Sequence, residues 1–414
     1  MLTSYFTALS GINANSQAIN VIGNNLANIN TTAYKGARAN FAELLGAISY
    51  AADGNPIQTG LGTVSAGVSP LFTQGSIQAT GRPTDVAISG NGFFVLSTGT
   101  GYAYTRAGNF GFNDTGELVN SDGFTVAGYM ASAGVINSNA ALSPITIQGS
   151  RTLPPKATTA LGITANLDSQ AATTTSFTSS AVQIYDSLGL AHTVTFTFTK
   201  TGAMDWTWDA SIPATDTGGA LTDPPVSIGS GTFTFNSAGA LTDPTENPTL
   251  TVAGLASGAA DMSIEFQVLD SNGNPRFTSN SGASAVSSVT QDGYASSTLR
   301  EVAIDGNGVI SGIYDNGQVN SLAQLALANF NNPEGLLKFI GNTFVKSVSS
   351  GEPSIGAPRT GGRGMVDGAA LELSNVDIAE QFTSLIIAQR GYQANSRVIA
   401  TTDQLYQEAI NLRQ

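Results

Sequence analysis

Few side chains in this chain of 414 residues combine the type and the spacing that catalysis needs. Asp205 and Asp209 flank Trp206 and Trp208, which suggests the paired carboxylates of a glycoside hydrolase beside sugar-stacking indoles. Strand parity argues the other way. It sets 205, 207 and 209 on one face and both indoles on the other, leaving two solvated acids at the ends of a short strand. Asp270-Ser271-Asn272-Gly273-Asn274 begins like a calcium loop. Pro275 then falls where the loop requires glycine and Ser281 where it requires the bidentate glutamate, so the segment reads as a hairpin turn. Gly90-Asn91-Gly92 and Gly60-Leu61-Gly62 lack the third glycine of a dinucleotide loop, with Val95 and Ser65 in its place. There is no phosphate loop and no Gly-x-Ser-x-Gly nucleophile elbow.

The chain has no cysteine and a single histidine, His192. That excludes disulfides, thiolate metal sites, cysteine nucleophiles and any metal site that needs two imidazoles. His192 has no adjacent serine or aspartate in triad logic. No catalytic, cofactor or metal site is therefore expected, and the chain is not expected to be an enzyme.

The elements that would have to position such residues are unusual. Only 11% of residues are charged, against about 25% in an average soluble protein. The balance of 29 acidic to 16 basic residues gives −13, which argues against nucleic acid and against anionic lipid, because both demand clustered Lys and Arg. No apolar run approaches the roughly 18 residues that cross a bilayer. The start, Met1-Leu2-Thr3-Ser4-Tyr5, has neither a basic nor an apolar signal region, so no cleavable signal peptide is expected. Low charge with 47 glycines suggests a surface that something else covers.

Tyr5, Ile12, Ile19 and Leu26 recur every seven residues near the start, with Leu2 and Leu9 as a companion series. They predict a helix with a coiled-coil-like seam. Its other face is charge-free from Met1 to Tyr34 and carries Asn13, Asn15, Gln17, Asn20, Asn24 and Asn28. At the far end Leu371, Ile378, Leu385, Tyr392, Ile399 and Tyr406 repeat the seven-residue spacing, widened by Phe382, Ile386 and Ile410. Asn375 or Asp377 can cap that second helix. Each stripe needs a partner, and the other stripe is the simplest one. Two amphipathic helices can also be just the wall of a globular core, but an uncharged polar face speaks against that.

Between the helices the period changes to two. Val194, Phe196 and Phe198 alternate with threonines, and Ile264, Phe266 and Val268 share a face. Turns such as Asn113-Asp114-Thr115-Gly116, Asp305-Gly306-Asn307-Gly308 and Asp315-Asn316-Gly317 punctuate short strands, as in antiparallel sandwiches or barrels. Residues 151–285 hold 11 acids and 4 bases and are bracketed by soft Ser/Thr/Pro-rich stretches, which marks an outward-facing insertion. The expected class is α+β: paired terminal helices forming a coiled-coil-like inner domain, with two nested, mainly antiparallel β domains. The expected parts are 1–70 with 366–414, then 71–150 with 286–365, then 151–285.

Three motifs carry a family resemblance. Asn24-Asn25-Leu26-Ala27-Asn28-Ile29-Asn30-Thr31-Thr32-Ala33-Tyr34-Lys35-Gly36 resembles the N-terminal signature of the bacterial flagellar rod and hook proteins. Ser374-Asn375-Val376 and Gln389-Arg390-Gly391-Tyr392-Gln393-Ala394-Asn395 resemble their C-terminal signature. Gly90-Asn91-Gly92-Phe93-Phe94-Val95 and Tyr104-Thr105-Arg106-Ala107-Gly108-Asn109-Phe110 are similar to their shared β domain. Ala33 departs from the glycine that relatives often carry before the aromatic-Lys pair. Within the family, the 151–285 block with Tyr185-Asp186-Ser187-Leu188-Gly189 resembles the extra outer domain of hook subunits.

The resemblance implies a structural subunit of the flagellar hook, polymerising with copies of itself into a flexible tube that carries torque from rod to filament. It implies distal-rod, hook-cap and hook–filament junction proteins as partners. It also implies export through the flagellar export apparatus to an extracellular position, without membrane insertion or nucleic-acid binding. The family signature would be Asn25, Ala27, Asn28, Thr31, Tyr34, Lys35, Gly36, Ser374, Asn375, Val376, Gln389, Arg390, Tyr392 and Asn395. Leu2, Tyr5, Leu9, Ile12, Ile19, Leu26, Ile378, Phe382, Leu385, Tyr392, Ile399 and Tyr406 would pack subunits. The alternatives are a distal-rod or hook–filament junction protein and, further off, a secreted carbohydrate-active enzyme.

Overall fold

The computed structural model describes residues 2–50, 55–99 and 101–411. Two long helices lie at its ends, α1 (Leu2–Ala27) and α2 (Ile378–Asn411), and the described residues between them form strands, turns and short 3-10 helices. α2 starts where Asp377 Oδ1 accepts the N–H groups of Ala379 and Glu380, which satisfies two of the unpaired donors of a helix N-terminus. Leu371 therefore falls outside the helix. It sits on the strand Ala370–Glu372, paired with Ile77–Ala79, and the seven-residue series continues into it by coincidence of spacing.

After α1 the chain forms a long antiparallel hairpin, β1 (Ala37–Tyr50) with β2 (Pro56–Pro70). Ala37–Tyr50 and Pro56–Pro70, expected to belong with the terminal helices, are thus strands. Their register slips at Asn40/Phe41, Glu43/Leu45 and Leu45/Ile48, and such bulges bend and twist a ribbon.

The chain divides into two compact units. One comprises Met1–Ser150, Glu301–Ile313 and Val319–Gln414; the other comprises Arg151–Arg300 and Tyr314–Gln318. In the first unit a mainly antiparallel sheet runs through the strands Val319–Leu325, Thr125–Ser132, Phe93–Ser97, Tyr102–Thr105, Thr343–Val345 and Leu337–Lys338. Phe93, Tyr104, Phe330 and Phe344 pack edge to face on it, a geometry set by the ring quadrupole.

The second unit has two sheets. One carries the strands Ser176–Thr178, Ala191–Lys200, Asp205–Ile212, Val226–Phe235 and Leu241–Asp243. The other carries Thr249–Val252, Met262–Gln267, Ala160–Asn166 and Phe277–Thr278. Every second residue of Ala191–Lys200 is buried, and Phe196, Trp208, Phe233, Phe266 and Phe277 fill the core between the sheets.

One turn recurs at Asn113, Asn120, Asp186, Asn236, Asp270 and Asp305. The side-chain Oδ1 accepts the N–H of the residue four further on. The glycine three further on bonds back to the first carbonyl with φ between 71° and 85°, a conformation that disfavours any Cβ.

Candidate assembly site

α1 and α2 pack on each other, and three residue pairs give their direction. Gly11 meets Asn395, Gly391 meets Asn15, and Asn25 Nδ2 donates to Gln381 Oε1 at 3.1 Å. As one number rises the other falls, so the helices are antiparallel. A Cβ on Gly11 would stand 2.6 Å from Asn395 Nδ2, and one on Gly391 would stand 2.7 Å from Asn15 Oδ1. Each asparagine also bonds back to its own helix: Asn15 Nδ2 to Gly11 O at 2.7 Å, and Asn395 Nδ2 to Gly391 O at 3.0 Å. Two Gly-x-x-x-Asn units thus interlock, each asparagine filling the space the opposite glycine leaves.

The seven-residue seam lies mostly beside this contact. Ala8, Ile22, Ala388 and Thr402 are buried. Ile12, Ile19, Leu26, Leu385, Ile399 and Tyr406 are half-buried, while Tyr5, Leu9, Ile378, Phe382 and Tyr392 are exposed. The packing of the Leu2 side chain lies outside the described residues. Phe382 is 48% and Ile386 57% exposed, so pairing leaves much of each apolar stripe open. The asparagine face is only partly free. Asn13 and Asn20 are exposed, whereas Asn24 Oδ1 accepts from Tyr34 Oη at 3.2 Å and from Asn28 Nδ2 at 2.8 Å.

The signature residues of 25–36 and 374–376 meet at the base of the helices, while Gln389, Arg390, Tyr392 and Asn395 lie farther along α2. Thr31 Oγ1 donates to Asn28 Oδ1. Ala33 takes φ 53° while its N–H bonds to Glu372 O at 2.8 Å, so the left-handed turn a glycine would favour forms without one. Asn25 exchanges both hydrogen bonds with the Ala37 backbone, at 2.8 and 2.9 Å. Asn375 accepts from Gly36 N at 2.8 Å and donates to Leu71 O and Thr73 Oγ1. It is spent on this junction and does not cap α2. Ser374 Oγ accepts the Val376 N–H. Gln389 and Arg390 stand exposed on α2, and Ala27 closes α1.

Lys35 is the centre of the junction. Its Nζ lies 2.6 Å from Glu372 Oε1 and 2.8 Å from Thr73 O. Arg106 Nη1 reaches Glu372 Oε2 at 3.4 Å, and Arg106 Nη2 donates to Gly90 O at 2.8 Å. The Gly90-Asn91-Gly92 segment is thus a bend that receives an arginine. Burial lowers the Lys35 pKa, with the nearby Arg106 charge adding to it and Glu372 opposing it. Burial likewise lowers that of Arg106 against the same carboxylate. One carboxylate shared by two desolvated cations ties the loop after α1 to the strand before α2. Lys35 was legible as a signature position; its partners Glu372 and Arg106 were not, because neither is a neighbour in sequence. Gly11 and Gly391 carried a signal that was readable, the same Gly-x-x-x-Asn spacing in both helices.

The catalytic candidates lie in the second unit. Trp206 and Trp208 are 0% and 3% exposed, so neither indole is available to stack on a sugar. Asp205 and Asp209 are held by Thr234 Oγ1 and Ser227 Oγ. Asp270 bonds to its own turn at Asn272 and Asn274, as the hairpin reading expects. His192 is buried between Asp186 and Asp216, and Ser257 Oγ donates to Asp186 rather than to the imidazole. Desolvation raises the Asp186 pKa, but bonds from Leu190, Ser257, His192 and Leu188 outweigh it and hold the carboxyl below its ordinary value. Among the described residues no group of three acidic, histidine or cysteine side chains is placed to hold a metal, and no helix is long and apolar enough to cross a membrane.

Four families match along the chain. They are flagella basal body rod protein over 7–35, flagellar hook protein FlgE/F/G D1 domain over 87–166, flagellar basal body protein FlaE D2 domain over 157–294 and flagellar basal body rod FlgEFG protein C-terminal over 368–412. In that order, with paired helices enclosing β units, they define an axial protein of the rod-and-hook class. Flagellar hook protein FlgE of Treponema pallidum is 34% identical over 100% of both chains. That of Escherichia coli is 34% identical over 99% of this chain and 100% of the other. That of Salmonella typhimurium is 35% identical over the same shares. The crystal structure of Helicobacter pylori flagellar hook protein FlgE2 shares the fold, with a TM-score of 0.52 at 16% identity over 70% of this chain and 98% of that one. The chain belongs to the flagellar hook protein FlgE family, as a structural subunit.

Proposed function

We propose that the chain polymerises with copies of itself into the hook tube, which bends while carrying torque from rod to filament. The observation that carries this reading is the apolar stripe left open on the paired helices, with Ile378, Phe382, Ile386 and Ile387 all exposed. Such a surface is stabilised by about 25 cal/mol per Å² when another copy covers it, and head-to-tail contacts of this kind propagate into helical assemblies. In this reading the paired helices α1 and α2 form the wall of the inner tube. A surface with so few charges suits interfaces that slide among near-equal packings, because specific ion pairs would favour one register. The distal rod, hook cap and hook–filament junction proteins are the end partners, and the role is not enzymatic.

The chain would leave the cell through the flagellar export apparatus, and the uncharged α1 face would line the channel that passes later subunits. Asn13→Lys with Asn20→Lys changes only exposed positions on that face. It should slow filament growth through completed hooks; normal growth rejects the channel lining. For the assembly itself, purified chain seeded with hook fragments should lengthen into tubes by electron microscopy. Chain that stays monomeric under every seeding condition rejects the reading.

A further inference from the structure

His192 is the chain's single histidine, and its side chain is 2% exposed with a carboxylate oxygen at each ring nitrogen. Nε2 lies 3.2 Å from Asp186 Oδ2 and Nδ1 lies 3.0 Å from Asp216 Oδ2. An ionised carboxylate only accepts, while a neutral imidazole donates from one nitrogen and accepts at the other. A neutral ring would therefore turn a lone pair toward one of the two carboxylates. Only the doubly protonated ring satisfies both.

Four segments of the second unit converge on this ring. Asp186 opens the turn before the histidine's own strand, Ala191–Lys200. Asp216 belongs to the 3-10 turn Ala214–Thr217, whose Gly219 N–H closes on Ala214 O at 2.8 Å. The loop 254–260 joins through Ser257 Oγ to Asp186 Oδ2 at 2.8 Å, Ala256 N to Asp216 O at 2.8 Å and Ala260 N to Ser187 Oγ at 3.2 Å. That loop contains no charged residue, and the strand paired with His192 meets it at Ile184, so the charges facing the ring are Asp186 and Asp216. Asp186 is anchored by the Leu188 and Leu190 N–H groups as well. Asp216 is the more exposed partner, at 23% against 0% for Asp186.

We propose that His192 is a protonation-controlled latch that holds the Ala214–Thr217 turn and the loop 254–260 onto the end of this unit. This does not depend on the hook reading. When the ring loses a proton, the half-exposed Asp216 loses its donor while Asp186 keeps its other three, and the loss of that contact raises local opening of the turn about tenfold.

The test uses the full chain labelled with 15N-histidine, whose one imidazole gives an unambiguous signal, titrated from about pH 5 to about pH 9. The expected result is a ring protonated on both nitrogens on the acid side. As one proton leaves, the exchange protection of the Ala256, Ala260 and Gly219 amides falls about tenfold, corrected for intrinsic rate, while that of strand Ala191–Lys200 holds. His192→Gln should abolish this pH dependence. If that variant fails to fold, Asp216→Asn, whose amide can donate to or accept from the ring in either protonation state, should flatten the pH dependence of the same three amides. A ring that stays in one neutral tautomer throughout, which would put the shared proton on Asp216, overturns the proposal. So does deprotonation that leaves the three amides equally protected.

Discussion

Lys35 Nζ lies 2.6 Å from Glu372 Oε1 with both side chains fully buried, although 337 positions separate them in the chain. The bond closes a circuit: the loop leaving α1 and the strand entering α2 share one carboxylate, and Arg106 adds the β sheet to it. The helices and the sheet of the first unit are thereby fastened at one buried point, so force applied to the helices reaches the sheet through a joint that solvent does not soften.

Glu372→Gln would leave Lys35 and Arg106 buried without their common counter-charge. Removing one partner of a buried pair costs about 3 to 5 kcal/mol. Lys35→Met should cost less, because Arg106 still faces the carboxylate. Denaturant unfolding followed by helical circular dichroism measures both. Equal losses in the two variants would contradict the shared-carboxylate account.

At the helix crossing, a side chain at Gly391 must displace Asn15, whose amide is tied to Gly11 O. Gly391→Val should loosen the helix pair by about 1 to 3 kcal/mol, and Asn15→Ser should recover part of that loss by making room. A destabilisation that Asn15→Ser does not relieve would mean the variant acts on the helix itself rather than on the contact.

Phe382→Asp with Ile386→Asp alters side chains that are already exposed in the single chain. Its folding stability should stay within about 0.5 kcal/mol of wild type, while tube formation is lost. Leu385→Asp, at a half-buried position, should lose assembly and helix stability together. Electron microscopy and thermal unfolding separate the two effects. Normal tubes from the double variant would remove the stripe from the assembly surface.

Acid should weaken the second unit. Desolvation raises the Asp292 pKa, but it accepts from Thr159 Oγ1, Ala160 N, Thr159 N and Lys156 Nζ, and these bonds outweigh it. The net shift is downward there, as at Asp186. A carboxyl held below its unfolded value, near 3.9, stabilises above that pH and loses its contribution as pH falls through the folded value. Both tryptophans of the chain lie in this unit, so their emission reports it selectively. Wild type should lose stability below about pH 4. Asp292→Asn should be weaker at neutral pH and show a shallower acid loss; an unchanged slope would assign the acid sensitivity elsewhere.

Much of this protein is set by neighbours along the chain. The apolar spacing of Ile12, Ile19 and Leu26 makes α1, and Asp377 starts α2 by accepting the N–H groups two and three residues on. The alternation of Val194, Phe196 and Phe198 with threonines makes a strand buried on one face. Turns such as that at Asp270 follow from one side chain bonding its own backbone. Helical period, capping and Asx turns act over a few residues, so they are written where they act.

What only the tertiary structure decided is which distant groups share a space. The first and last helices were expected to pair, but the interlock of Gly11 with Asn395 and Gly391 with Asn15 depends on a register that neither helix specifies alone. Lys35 was visible as part of a signature, not as a buried ion, because burial came with Glu372 and Arg106 from far along the chain. His192, which has no triad partner beside it in sequence, is clamped by two aspartates, since Asp216 comes to it from the turn that follows the strand paired with its own. The strand pair β1 and β2 shows the same limit: its strands are stabilised by each other and by α1, so the apolar spacing of the terminal segments carried no sign of it. Desolvation and close packing are properties of the assembled chain, and they turned ordinary-looking residues into a junction.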